Sequence, residues 1–262
     1  MVKIESMLLT PLTDTGAAPL YRQVKRELQR AIEAGLCKPG RALPNESTIA
    51  QALKVSIGTL RHAVDELVHE HVLVRRQGKG TFVALHNSDR FLFQFFHVEP
   101  RPDPRFADVV AQAEYPMVEC VAFERERCGE VDAAVLRIKP MDPVFRIGNR
   151  LSLGGRAVVY DRITIPALLF KGLNEKRLLD RPSTIYNLYQ TDFGITVLRA
   201  QERARAAATD RNTARILSVT VSLPVLEVHR VALTFGEKPV EYRVSTINTR
   251  LHDYVSVLSK KS

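Results

Sequence analysis

The sequence predicts an α+β protein of two domains, and three observations support this fold class. Three short segments with helical spacing of apolar residues lie between residues 19 and 69, and two β-runs around a glycine-rich turn follow them. Beyond residue 85, strands and helices mix without the regular alternation that a parallel sheet requires. A polar stretch, residues 86–89, separates the two regions. We therefore expect a flexible arm at 1–18, a first domain at 19–85, and a second domain with a mostly antiparallel sheet at 86–262.

The composition indicates a globular protein in a reducing compartment. With 45% hydrophobic residues, the chain of 262 residues has material for a sizeable core. No apolar run reaches the roughly 18–20 residues of a membrane span, and the N-terminus lacks the pattern of a signal peptide. The three cysteines, Cys37, Cys120 and Cys128, lack CxxC spacing, which disfavours a disulfide framework or a zinc site. We expect a cytoplasmic protein without a metal, a cofactor or a membrane partner.

The charge of the chain favours a polyanionic partner. The formal net charge is +9, and residues 20–85 carry 11 Lys and Arg against 6 Asp and Glu, a net of +5 in a quarter of the chain. Lysine and arginine gain affinity for nucleic acid by displacing counterions from phosphates. Net charge alone does not decide the matter, since many basic proteins bind nothing anionic.

Three helices are predicted in the first domain. The first opens near Pro19 and ends at Gly35. The second is capped by Asn45 and the third by Ser56, because such side chains accept hydrogen bonds from the free N–H groups at a helix start. The apolar residues of the third helix face inward at helical spacing. Its start therefore presents an outward set: Gly58, Thr59, Arg61 and His62.

The segment after the third helix predicts a basic hairpin. Two short β-runs flank Gln77-Gly78-Lys79-Gly80, where the glycines allow the positive φ of a hairpin tip. Arg75 and Arg76 add to the charge of Lys79, and such a tip suits a phosphate backbone. Three helices followed by this hairpin are the layout of a winged helix-turn-helix, which lays one helix in the DNA major groove. On its own, a charged hairpin is more often a solvated loop.

The first domain resembles the DNA-binding domain of GntR-type bacterial transcription regulators. The segments that carry the resemblance are PLYRQV, IEAGLCKPGRALPNE, TLR-x-AVDEL and VRRQGKGTFV. Two positions differ from the family pattern, because Ser47 and Ile57 stand where DNA-contacting arginines are common. The resemblance implies operator binding, and the differences imply either another operator or more reliance on the wing. The residues expected at the DNA are Asn45, Ser47, Ser56, Gly58, Thr59, Arg61, His62, Arg75, Gln77, Gly78, Lys79 and Gly80.

The second region predicts two strong hairpins joined by short helices. The first hairpin runs from Val144 to Pro166 and turns at Gly154-Gly155, and the second covers residues 224–248 and turns at Gly236-Glu237-Lys238. Further strands are expected at 91–100, 115–127 and 196–208, and helices at 129–138, 168–179, 183–194 and 212–219. The hairpins RLSLGGRAVVYDRITIP and LPVLEVHRVALTFGEKPVEYRVSTIN resemble the UTRA effector domain, the chorismate-lyase-like module of HutC-type GntR regulators.

The UTRA resemblance implies a small-molecule site beside the two hairpins. Guanidinium groups would hold a phosphate or a carboxylate, and Glu or Tyr would read hydroxyl or amine groups, so an anionic effector is one possibility. The alternative for each residue is a surface ion pair of little energy. Ser152 replaces a common arginine, which argues against a sugar-phosphate effector. The residues implied are Arg150, Ser152, Tyr160, Arg162, Glu241 and Ser245.

The sequence favours a homodimeric regulator over two rivals. We expect a transcriptional regulator, a repressor rather than an activator, that binds a pseudo-palindromic DNA operator and is controlled by a metabolite in the second domain. One alternative is an enzyme acting on a small aromatic acid, but HExxH, GxSxG and GxxxxGK[ST] motifs are all missing. The other is a non-specific nucleoid protein, which so large an appended domain disfavours.

Overall fold

The computed structural model describes residues 18–70, 72–85, 98–101, 116–181 and 184–255. These residues divide into two compact units. The first contains residues 18–85 together with 184–198 and 234–236, and the second contains the remainder. Two segments that the sequence assigned to the second domain therefore belong to the first unit. Within the described ranges, no helix is long and apolar enough to cross a membrane. The expected arm at 1–18, the linker at 86–89 and the strand residues 91–97 lie almost entirely outside the described residues.

Seven helices and ten strands are described. The helices are α1 (Leu20–Glu33), α2 (Glu46–Leu53), α3 (Ile57–His69), α4 (Glu130–Leu136), α5 (Glu175–Leu179), α6 (Ile185–Phe193) and α7 (Arg211–Leu217). The strands are β1 (Leu73–Arg76), β2 (Gly80–Val83), β3 (Val98–Pro100), β4 (Met117–Arg127), β5 (Pro143–Leu153), β6 (Arg156–Pro166), β7 (Arg199–Ala208), β8 (Pro224–Leu233), β9 (Pro239–Ile247) and β10 (His252–Tyr254).

The first three helices form by the local signals that predict them. Asn45 accepts a hydrogen bond from the backbone N–H of Ser47 at the start of α2, and Ser56 accepts one from Thr59 at the start of α3. Lys54 adopts a left-handed conformation, φ 55°, in the tight turn between the two helices. The three helices bury one apolar stripe each into a shared core: Val24, Leu28, Ile49, Leu53, Leu60, Val64 and Leu67.

The hairpin of β1 and β2 completes this unit as the wing. The strands are antiparallel from Leu73↔Val83 to Arg76↔Gly80. Gly78 and Gly80 have φ of 70° and 101° at the tip, a conformation that a side chain would strain. Leu73 and Val83 are buried in the helical core, so the base of the wing is fixed while its tip is exposed.

The second unit is built on a six-stranded antiparallel sheet. The strand order is β4-β5-β6-β9-β8-β7, and a separate two-stranded ribbon pairs β10 with β3. The mixed α+β class and the mostly antiparallel sheet are confirmed. Both strong hairpins lie side by side in the centre, because β6 pairs with β9. One expected helix is shorter than predicted: of residues 168–179 only α5 is helical, and Gly172 (φ 80°) lies in the turn before it.

The two faces of this sheet differ in what they carry. Because successive side chains of a strand point to opposite faces, Tyr160 and Arg162 share one face and Asp161 and Ile163 the other. We call these the Tyr160 face and the Asp161 face. On the Tyr160 face, Tyr160 packs against Ile216 and Leu217 of α7. On the Asp161 face, apolar residues pack with Val98 and Tyr254 of the β3–β10 ribbon: Leu151, Val159, Val228 and Ile247.

Candidate functional site

The exposed side of the first unit joins the start of α3 to the base of the wing. Arg61, 63% exposed, donates from Nε to Glu46 Oε2 at 2.7 Å. The other oxygen of Glu46 lies 4.0 Å from Arg75 Nη2, and Arg75 also pairs with Asp65 at 2.5 Å. The hydrogen bond that Arg61 donates to Glu46 raises the pKa of Arg61 above its usual value. The Glu46 carboxylate thus lies between Arg61 of α3 and Arg75 of the wing.

The polar residues at the two helix starts are engaged with each other. Ser56 Oγ lies 2.9 Å from Thr59 Oγ1, and Ser47 Oγ donates to Asn45 Oδ1 at 2.9 Å. The hydroxyls of Ser47 and Ser56 are therefore already hydrogen-bonded within the protein, although both residues are exposed. His62 stacks on Tyr21 of α1, with ring centroids 3.9 Å apart and planes 10° apart. Its imidazole edge is exposed, but its plane is fixed.

The wing tip is the least restrained part of this surface. Gln77, Gly78, Lys79 and Gly80 are all exposed. At the base of the tip, the Arg76 guanidinium lies 4.8 Å from the centroid of the Phe82 ring, a cation–π contact between the two strands of the wing. All twelve residues predicted for DNA thus lie on α2, α3, the cap positions or the wing, and all except the half-buried Thr59 are exposed. Ile57, 43% exposed, occupies the helix start without a charge.

The six residues predicted for an effector do not converge on one surface. Arg150, Tyr160 and Arg162 belong to the Tyr160 face through the register Arg150↔Tyr160, and half-exposed Ser152 follows Arg150 on the same side. Glu241 and Ser245 belong to the Asp161 face through the register Asp161↔Ser245. One cavity cannot be lined by all six. The physical reason is the side-chain period of two, which the loose motif does not reveal.

The predicted effector arginines on the Tyr160 face form ion pairs with glutamates. Arg150 donates to Glu119 at 2.5 Å, and Arg162 donates to Glu227 at 3.2 Å. Glu227 also accepts from Arg205 and from His229, and its pKa is lowered because these hydrogen bonds outweigh its desolvation. Burial raises the pKa of Tyr160. These groups satisfy one another without a ligand.

The Asp161 face carries a buried charged cluster. Arg243 donates to Asp161 at 3.0 Å and to both oxygens of Glu241 at 3.0 and 3.2 Å. Ser245 donates to Asp161 at 2.6 Å. Asp161 is 3% exposed and Glu241 0%. Buried charges require close partners, and the cluster contains two carboxylates for one guanidinium.

Asn149 lies beside this cluster with an unsatisfied atom. It is the cross-strand neighbour of Asp161 and is 3% exposed. Its Oδ1 has no hydrogen-bond partner among the described residues. A buried acceptor without a partner costs about 1–3 kcal/mol, so a bound molecule that donates to it would recover that cost. The sequence carries a signal for this site. Asn149 and Asp161 are polar residues on a strand face that is otherwise apolar, because the residues two positions away on each side are Ile147, Leu151, Val159 and Ile163.

A cavity of about 400 Å³ opens on the Asp161 face near the β10 ribbon. Its walls come from β7, β8 and the segment 249–254. Tyr254 lines it and donates its hydroxyl to Glu202, which in turn accepts from Arg230. The volume falls in the range of small-molecule sites, about 300–1,000 Å³. Among the described residues, no group of three His, Cys, Asp or Glu side chains is arranged to hold a metal ion.

Comparison with known families accounts for both units. Residues 20–83 match the model of bacterial regulatory proteins, gntR family. Residues 111–253, more than half of the chain, match the UTRA domain. The chain belongs to the gntR family and carries a UTRA domain. It is therefore a DNA-binding transcriptional regulator with a domain that senses a small molecule, as its sequence predicts.

Relatives of full length support the same assignment. The mannosyl-D-glycerate transport/metabolism system repressor MngR of Escherichia coli is 25% identical over 94% of this chain and 99% of its own. The probable fructoselysine utilization operon transcriptional repressor of Escherichia coli is 26% identical over 84% of this chain and 87% of its own.

Solved structures share the fold. The ligand-binding domain of a putative GntR-family regulator from Bordetella bronchiseptica has a TM-score of 0.56 at 25% identity, covering 63% of this chain and 98% of that domain. PhnF from Mycobacterium smegmatis has a TM-score of 0.52 at 22% identity and covers 91% of this chain and all of its own.

Proposed function

We propose that this regulator is a repressor that binds a pseudo-palindromic operator as a homodimer and releases it when a hydroxyl-rich small molecule binds the Asp161 face. The start of α3 and the wing tip form the operator-reading surface. A dimer suits such a surface because the two-fold axis of the protein must match that of the DNA. The name of the relative MngR, a repressor of a sugar-derivative system, supports the repressor assignment and the sugar-like effector.

Arg61 is the residue that we expect to read the operator directly. Arg61 is an arginine of the family pattern that this chain retains, whereas Ser47 and Ile57 stand at the two positions where arginines are common. To reach a base edge it must leave Glu46, whose carboxylate can then stay with Arg75. Exchange of partners at an exposed ion pair costs little, because such pairs are worth about 0–1 kcal/mol. Lys79 at the wing tip supplies a phosphate contact.

The effector proposal rests on one observation, the unpartnered Asn149 Oδ1 beside Asp161 and Ser245. Carboxylate and amide oxygens accept hydrogen bonds from hydroxyl groups, so these residues suit a ligand rich in hydroxyl groups. The carboxylates of Asp161 and Glu241 disfavour an anionic group at this point. An anionic effector therefore stays a prediction. Its negative group would have to contact arginines outside this cluster. Arg243 engages both carboxylates, so we propose binding without catalytic turnover.

Asn149→Leu tests the effector site. The substitution keeps the branch at Cγ and removes the Oδ1 acceptor that has no partner among the described residues, so the free protein should still fold. Binding of the small molecule that copurifies with the wild-type chain, detected by native mass spectrometry, should be lost. Glu124→Gln, an exposed change on the opposite face, is the matched control and should retain the ligand. Retention of the ligand by Asn149→Leu would place the effector elsewhere.

Duplex selection tests the operator proposal. The full chain should enrich a pseudo-palindrome from a random-sequence DNA pool. Enrichment of a single unpaired half-site would contradict the homodimer, and no enrichment above background would contradict specific DNA binding.

A further inference from the structure

The DNA-binding unit contains residues from a distant part of the chain. Helix α6 and Phe235 fall within the UTRA match at 111–253, yet both belong to the first compact unit. Phe235 is 7% exposed and is a member of the same hydrophobic core as Leu28, Leu67 and Val83. Leu198 packs against this core as well. The core that holds the wing is therefore incomplete if the chain ends after residue 85.

Gln190 of α6 makes a direct hydrogen bond to the end of the wing. Its Nε2 donates to the carbonyl oxygen of Ala84 at 3.0 Å and lies 3.3 Å from Thr196 Oγ1. Ala84 follows directly after β2, and its own N–H donates to Val72 at 2.9 Å. Since Gln190 is 1% exposed, water does not replace this bond readily.

The helix that carries Gln190 is itself held on all sides. Six consecutive residues of α6, from Ile185 to Gln190, are buried. Thr184 caps the helix by accepting from the N–H of Asn187, and Gly194 ends it at φ 68°. A side chain on so enclosed a helix has little rotamer freedom, so its amide is fixed in place.

The wing needs such an anchor because its strands are short. β1 and β2 have four residues each, and a two-stranded hairpin of this size is marginal on its own. Backbone bonds from Gly40 and Leu43 hold Val83 and Thr81 of β2. Gln190 holds the next carbonyl, at the point where the chain leaves the wing.

We propose that Gln190 is a positioning residue for operator binding, which acts through the wing and not through contact with DNA. By fixing the Ala84 carbonyl, it sets where β2 ends and so where the tip with Lys79 lies. A segment within the UTRA match thereby positions the wing of the compact unit to which both belong. This proposal rests on the proposed operator binding by the wing.

A double-mutant cycle tests the proposal with the full chain and the duplex that the wild type selects from a random pool. Gln190→Met keeps the side-chain length and removes the donor. We expect it to weaken duplex binding and to lower the slope of log affinity against log salt by about 1, as loss of one phosphate contact does. In the Lys79→Ala background, Gln190→Met should have little further effect, because the contact that it positions is already gone. Gln201→Met, an exposed change on β7, is the matched control and should leave both quantities unchanged.

The outcomes separate this proposal from the one that it depends on. If Gln190→Met weakens binding equally in both backgrounds with an unchanged salt slope, Gln190 acts on the stability of the unit, and the proposal is wrong. Unchanged binding by Gln190→Met also overturns it. If Lys79→Ala itself leaves the salt slope unchanged, operator binding by the wing fails first. Should Gln190→Met not fold, Gln190→Leu, which also lacks a donor and buries no charge, gives the same comparison.

Discussion

Arg61→Ala should weaken operator binding by roughly 5- to 30-fold. A direct arginine contact to a base edge is worth about 1–3 kcal/mol. The wild-type chain first gives up the Arg61–Glu46 ion pair, whose members are 63% and 31% exposed, at a cost of about 0–1 kcal/mol. From the middle of each range the difference is about 1.5 kcal/mol, and a factor of ten corresponds to about 1.4 kcal/mol.

The assay is fluorescence anisotropy with the selected duplex and with a scrambled duplex, at one salt concentration. Arg30→Ala is the matched control, because Arg30 is also an exposed arginine in an ion pair, with Glu27 at 3.0 Å. It removes the same charge away from α3. Arg61→Ala should lose affinity for the selected duplex and much less for the scrambled one. Equal losses on both duplexes, or a loss no larger than that of Arg30→Ala, would refute base reading by Arg61.

Three further results are expected. Lys79→Ala should reduce the salt slope of duplex binding by about 1 with little change in sequence preference, measured by titration at several salt concentrations; a changed preference would mean that the wing tip reads bases. Leu28→Ala should destabilise the first unit by about 2–5 kcal/mol, because Leu28 is 1% exposed in its core, and urea unfolding will show whether it does. Burial, followed by the charge of Arg156, lowers the pKa of His252 below its ordinary 6.5. The unfolded chain then binds the proton more readily, so the contribution of neutral His252 to the free energy of unfolding is fully present above pH 6.5 and is lost as pH falls below it. His252→Asn should reduce that loss in thermal unfolding. An unchanged pH dependence would contradict this expectation.

The elements that follow from local signals were predicted from the sequence. The caps at Asn45 and Ser56, the glycine tip of the wing and the Gly154-Gly155 turn each act over three or four residues. Residues 168–179 read as one helix in the sequence, whereas only Glu175–Leu179 is helical, because Gly172 before it has a left-handed backbone, φ 80°.

For the effector site, local signals do not show on which face of the sheet a strand residue lies. Glu241 and Tyr160 sit in motifs of similar appearance, yet their faces depend on pairing across strands and on bulges such as that between Leu151 and Ser152. The contact of Gln190 with Ala84 joins positions 106 residues apart, and neither carries a local signal for it. Long-range register and long-range packing account for what the sequence did not reveal.

The late position of Phe235 has a consequence for how the chain matures on the ribosome. Ala84 is synthesised about 150 residues before Phe235, and at roughly 5–20 residues per second this interval lasts on the order of 10–30 s. During that time the nascent winged domain lacks part of its own core. A chain truncated before Phe235 would therefore carry every residue that we expect at the DNA but lack part of the core beneath them. The core of the first unit is thus complete only once synthesis has passed Phe235.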